Sequence, residues 1–141
     1  MSIELNPIGI FYTDASDIAR HWSISTVIGR IVIDERYLDG LKDIQAGEKI
    51  VVLFHFHKNP PFDPANLIQT PPHRNQAMGV FSICSPYRPN PIGLSILEVI
   101  GINRNVLTVR GADMFDGTPV LDIKPHIEDK RDCPSYDGSA G

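Results

Sequence analysis

Arg88-Pro89-Asn90-Pro91-Ile92-Gly93-Leu94-Ser95 places a guanidinium and a carboxamide among three prolines counted from Pro86. Proline fixes φ and drives the preceding residue into extended geometry, so Arg88 and Asn90 are held in set directions, and Gly93 permits close approach of a ligand or of another backbone. A rigid polar loop of this kind suits binding; the alternative is a corner of the fold with Arg88 in an internal ion pair. A second candidate is Phe54-His55-Phe56-His57-Lys58, where alternation sends both imidazoles to one face and both phenyl rings to the other. Two such histidines, with His73 as a third, could ligate zinc or iron. The His-x-His spacing alone is weak and no Cys or Glu stands at a confirming distance, so no metal is assigned. His57, His55 and His73 are also the natural general bases, because imidazole titrates near neutral pH; His57 is taken as the candidate. Asp116-Gly117-Thr118 offers a carboxylate, although the string is foremost a turn sequence.

These groups must be positioned by strands. Gly9-Ile10-Phe11-Tyr12 reads as a first strand, and residues 22–33 approximate period two, with Gly29 as a bulge where the face switches. Asp34 caps a short amphipathic helix or turn carrying Tyr37, Leu38, Leu41 and Ile44, which Gly47 ends. Residues 49–57 form a strand buried on both faces over its middle. Residues 58–76 carry five prolines and no sustained period, a long loop of the kind that is usually functional or mobile. Residues 78–84 and 92–100 read as strands, Asn103-Arg104-Asn105 as a hairpin turn into Val106-Leu107-Thr108-Val109, and Asp116-Gly117-Thr118-Pro119 as a turn into Val120-Leu121-Asp122-Ile123. Short strands between turn signals, without βαβ alternation, imply an all-β barrel or sandwich and exclude a doubly wound nucleotide-binding fold.

With 141 residues, 42% of them hydrophobic, the chain is read as one domain, residues 1–127, followed by a polar, flexible tail over 128–141. Cys84 in an apolar stretch and Cys133 in a polar one predict reduced thiols rather than a disulfide framework. Met1-Ser2-Ile3-Glu4 lacks the basic and apolar blocks of an export signal, and no apolar run approaches a membrane span, so a cytoplasmic protein is expected. The net charge of −4 excludes coating of nucleic acid by bulk electrostatics. Its distribution is uneven: residues 58–91 hold Lys58, Arg74 and Arg88 against Asp63 alone, a local +2 between two segments of −3. If an RNA is bound, it lies along this segment, on His73 and Arg74, with Phe62 and Tyr87 available to stack on an unpaired base.

Beyond their chemistry, several strings resemble those of the TrmO, or TsaA-like, family of tRNA methyltransferases. They are residues 54–58, residues 77–95 with Met78-Gly79-Val80-Phe81 and Arg88-Pro89-Asn90-Pro91-Ile92-Gly93-Leu94-Ser95, and Asp116-Gly117-Thr118-Pro119-Val120-Leu121-Asp122-Ile123-Lys124-Pro125; Ile8-Gly9-Ile10 is similar too. The resemblance implies a single β-barrel domain with a short helix and a long proline-rich loop. It also implies a homodimeric S-adenosylmethionine-dependent enzyme that methylates N6 of threonylcarbamoyladenosine beside the anticodon of a tRNA. Carried onto this sequence, it assigns the cofactor to His57, Lys58, Arg88, Ile96, Phe115, Asp116, Gly117 and Thr118, and the substrate to His73, Arg74, Tyr87 and Asn90. Arg88 or Lys58 would then pair with the cofactor carboxylate, and Asp116 would accept from its ammonium or ribose diol. Arg20-His21-Trp22-Ser23 stands where bacterial members carry Arg-Gln-Pro-Gly, and His126 where a tyrosine is usual. The same barrel acting on a small molecule or another RNA, and a non-catalytic cofactor-binding module, are the alternatives.

Overall fold

In the computed structural model, residues 1–19 and 21–138 are described. They form β1 (Gly9–Tyr12), β2 (Ile28–Ile33), β3 (Lys49–His55), β4 (Ile68–Gln69), β5 (Met78–Gly79), β6 (Ile92–Asn103), β7 (Val106–Arg110) and β8 (Thr118–Pro125), joined by short 3-10 helices. Six of these strands pair antiparallel in the order β1-β2-β7-β6-β3-β8, and β8 returns to β1 to close a barrel; β4 and β5 form a separate ladder. Alternation explains the closure. Phe11, Ile31, Ile33, Ile50, Val52, Phe54, Leu97, Val99, Leu107, Val109 and Val120 project inward and are at most 2% exposed. Each such side chain contributes about 1.5–3 kcal/mol on burial, so this inner layer dominates the fold's stability.

Gly29 does not mark a bulge. It sits in regular register opposite Val109, and the Phe11 ring of β1 lies across it, so a Cβ would stand 2.2 Å from Phe11 Cε2. The one-residue irregularities fall at Leu121 in β8 and Ile100 in β6, where the register with β3 and β7 shifts and the strands can bend. Other boundaries move as well. The strand expected over 22–33 begins only at Ile28, and Trp22–Ile24 is a 3-10 turn capped by His21, which accepts from Ser23 N. Of residues 78–84 only Met78–Gly79 is a strand, followed by a 3-10 turn over Val80–Ser82. β3 stops at His55, and its Val51 and Leu53 are half-buried on the outer face rather than enclosed.

The element after Asp34 is a 3-10 helix, Glu35–Leu41, with the Asp34 carboxylate accepting from Arg36 N. Leu41 joins the core, with Leu38 and Ile44 packed against it. The hairpin turn between β6 and β7 places Arg104 at φ 57. Beyond the barrel, Asp129 caps a further 3-10 turn over Lys130–Asp132. Strand directions bring the connections over residues 13–27, 56–91 and 111–117 to one end of the barrel, where β3 ends and β6 and β8 begin.

Candidate active site at one end of the barrel

Those three connections enclose a cavity of about 820 Å³ over the barrel end. Its floor is the inner face of the strands. Phe54 lies across Gly93, where a Cβ would stand 2.3 Å from Phe54 Cζ, and Phe56 packs edge-on against Phe54 at 5.1 Å. The glycine in the proline-flanked string thus makes room for two aromatic rings. Met114 and Leu94 add apolar wall, and Trp22 comes from the first connection.

The polar wall carries two cations, Lys58 and Arg88, among neutral polar groups. Arg88 donates from Nη1 to the carbonyls of Ile83 and Ser85 at 3.0 and 3.1 Å, so part of the guanidinium ties its own loop while the side chain lines the cavity. These partners replace the internal ion pair considered from sequence. Lys58 Nζ lies 4.8 Å from the centroid of the Phe115 ring, a cation–π contact joining the connection after β3 to that before β8. His57 lines the same cavity beside Lys58. Burial first, then the charges of Lys58 and His55, hold its pKa below the ordinary imidazole value, so it is neutral and able to accept a proton at neutral pH.

Asp113 is the only carboxylate among the described lining residues. The wholly buried Ser95 hydroxyl on β6 donates to its Oδ1. Burial raises the Asp113 pKa, opposed by the Ser95 hydrogen bond, by backbone N–H groups and by the nearby His21. Sequence reading missed this residue; the available signal was an acid between Ala112 and Met114, both of which are buried.

Of the residues singled out from sequence, the cavity gathers His55, His57, Lys58, Tyr87, Arg88, Gly93, Phe115 and Thr118. Thr118 is buried, its hydroxyl donating to Phe115 O at 2.6 Å. Asp116 and Gly117 lie outside the lining. Asp116 Oδ1 accepts from Thr13 N at 2.9 Å, and Gly117, at φ +84, donates its N–H to Phe11 O, so both build the turn that presents Phe115 and Thr118. Ile96 pairs with Val51 two residues beyond the cavity residue Leu94. Asn90, His73 and Arg74 are exposed in loops away from the cavity wall. Arg20 lies outside the described residues, whereas His21 and Trp22 from the same stretch line the cavity. Among the described residues no three His, Cys, Asp or Glu side chains gather as a metal site.

The fold is a closed antiparallel β-barrel with a cavity of mixed charge over one end. Residues 8–133 match the model of the tRNA-methyltransferase O N-terminal domain, and the chain belongs to that family. It is 38% identical over 125 residues to an S-adenosyl-L-methionine-binding protein of Archaeoglobus fulgidus, covering 86% of this chain and 88% of the relative. It is 41% identical over 95 residues to the tRNA (adenine(37)-N6)-methyltransferase of Mus musculus, covering 67% of this chain and 21% of that one. The crystal structure of TrmO from Pseudomonas aeruginosa superposes with a TM-score of 0.69 at 26% identity, over 97% of this chain and 61% of that chain. The chain therefore spans less than two thirds of the mouse and Pseudomonas proteins.

Proposed function

We propose that this chain is an S-adenosylmethionine-dependent methyltransferase whose acceptor is N6 of threonylcarbamoyladenosine at position 37 of tRNA. The observation that carries the reading is the charge pattern of the large cavity, which holds Arg88, Lys58 and, among the described residues, one carboxylate, Asp113, within apolar walls. S-adenosylmethionine combines a carboxylate, an ammonium, a sulfonium and an adenosine, and when bound it supplies an electrophilic methyl group. Arg88 and Lys58 would pair with its carboxylate. Asp113, rather than Asp116, answers the positive charge, and Phe54, Met114 and Leu94 offer apolar contact to the adenosine. His57 would accept the N6 proton as that nitrogen is methylated, becoming an imidazolium. The nitrogen is conjugated to a carbonyl and is a poor nucleophile, which is why a neutral base beside it matters.

The names of the archaeal and mouse relatives support cofactor and acceptor, each within its own protein. The basic loop with His73 and Arg74 holds the RNA in this reading, and residues 1–127 carry the catalytic barrel. A homodimer fits the family resemblance, with Phe81, 80% exposed and outside the cavity lining, available to an interface. A cytoplasmic site of action follows from the tRNA substrate, and among the described residues no helix is long and apolar enough to cross a membrane. Mass spectrometry of tRNA nucleosides from a gene-deleted strain tests the reading. Loss of methylated threonylcarbamoyladenosine, restored by the gene, is expected; an unchanged nucleoside profile overturns the acceptor.

A further inference from the structure

A second cavity of about 340 Å³ adjoins the first and shares with it a wall that includes His57, Asn59, Tyr87 and Arg88. Its remaining lining comes from the long proline-rich connection, chiefly Phe62, Asn66 and Pro61. We infer that this smaller cavity is the acceptor subsite and takes a planar nucleobase, an assignment that rests on the methyltransferase reading above.

Shape and chemistry agree. The volume lies within the range of about 300–1,000 Å³ typical of ligand pockets. Phe62 and Tyr87 supply flat faces for stacking, and the proline rings supply apolar edges. Two carboxamides stand among them. Asn59 Nδ2 donates to Pro86 O at 2.5 Å, which leaves its Oδ1 to accept from a bound ligand. The Asn66 side chain makes no hydrogen bond among the described residues, so both its donor and its acceptor are open to a base edge.

The cavity is also built in advance. Gln69 Nε2 donates to Asn66 O at 2.7 Å and to Tyr87 O at 2.8 Å, stapling its two sides together. With Asn59 bonded to Pro86, two separate side chains fix the geometry of a loop that otherwise has little regular structure. Lower ordering cost on binding follows from such preorganisation. No carboxylate lines the small cavity among the described residues, so nothing in its wall favours a cationic acceptor. His57 stands in the common wall, which places the candidate base beside both the donor cavity and the acceptor. The juxtaposition also explains a loop too long for a simple turn: it forms the second chamber.

Two measurements test the assignment. In steady-state methyl transfer to bulk tRNA, Asn66→Ala and Phe62→Ala should each raise the tRNA KM about tenfold while the Kd for S-adenosylmethionine stays within twofold. A KM within twofold of the parent, or parallel losses in both constants, overturns it. A readout independent of activity is the amide NMR spectrum of the protein saturated with S-adenosylhomocysteine and titrated with adenosine. The Asn66 side-chain NH2 resonances should shift as adenosine is added; shifts confined to residues of the large cavity such as Asp113 overturn the subsite. Failure of S-adenosylhomocysteine to bind at all would instead remove the donor reading, and adenosine alone would still report on Asn66.

Discussion

Ser95 on the inner face of β6 donates its hydroxyl to Asp113 in the connection after β7, fixing the one carboxylate among the described residues of a largely apolar cavity that also carries Lys58 and Arg88. Burial has raised the Asp113 pKa, so its contribution to stability is fully present below the unfolded carboxylate value of about 3.9 and is lost as pH rises through the raised folded value. Ionising the group in its buried setting therefore costs stability. Asp113→Asn keeps an acceptor for Ser95 and removes the buried charge. The melting temperature is expected to stay level or rise by about 2 °C or more. Affinity for S-adenosylmethionine should fall at least tenfold, with little change for methylthioadenosine, which lacks the amino acid moiety and the sulfonium. Equal losses for both ligands in calorimetry would reduce Asp113 to a structural role.

His57 gives a pH dependence of definite sign. Its pKa is lowered by burial and by its cationic neighbours, so the base form persists to acidities below the ordinary value of about 6.5. The acid limb of kcat should therefore fall below that pH, and His57→Gln should abolish the limb while reducing kcat by roughly 10²–10⁴-fold. Cofactor affinity of the variant, measured beside the rate, should change far less. An acid limb that survives in His57→Gln would transfer the base role elsewhere.

Gly93 lies beneath Phe54 and Phe56, with a prospective Cβ 2.3 Å from Phe54 Cζ and 2.8 Å from Phe56 Cζ. Gly93→Ala must displace both rings at the cavity floor, at a cost of about 1–3 kcal/mol by analogy with other overpacked cores. Chemical denaturation should show the lower midpoint. Cofactor binding should weaken as well, since the same rings form the wall. A midpoint equal to the parent's would mean that the rings move freely and do not define the cavity.

Local patterns were legible in the sequence to the extent that their causes are local. β1 runs over the expected residues, Asp34 caps the turn that follows β2, and Arg104 turns the β6–β7 hairpin, each decided by neighbours along the chain. Gly29 was misread because its constraint is the Phe11 ring of an adjacent strand. Residues 78–84 carry strand-forming side chains, but only Met78 and Gly79 find partners, at Gln69 and Ile68, and the rest tighten into a turn. The cationic half of the site was readable from Arg88 and Lys58. Asp113 was not, because its partner Ser95 stands 18 residues away and only the β6–β7 hairpin brings the two together. Asp116, the more visible acid, proves to be occupied by Thr13 N.

The most direct test is methyl transfer in vitro, with purified protein, S-adenosylmethionine labelled in the methyl group, and tRNA from a strain lacking the gene. Label is expected in a single nucleoside with the mass of threonylcarbamoyladenosine plus one methyl, at a rate reduced by Asp113→Asn and largely lost in His57→Gln. Retention of bound S-adenosylmethionine with no label entering tRNA, or label in a different nucleoside, would contradict it.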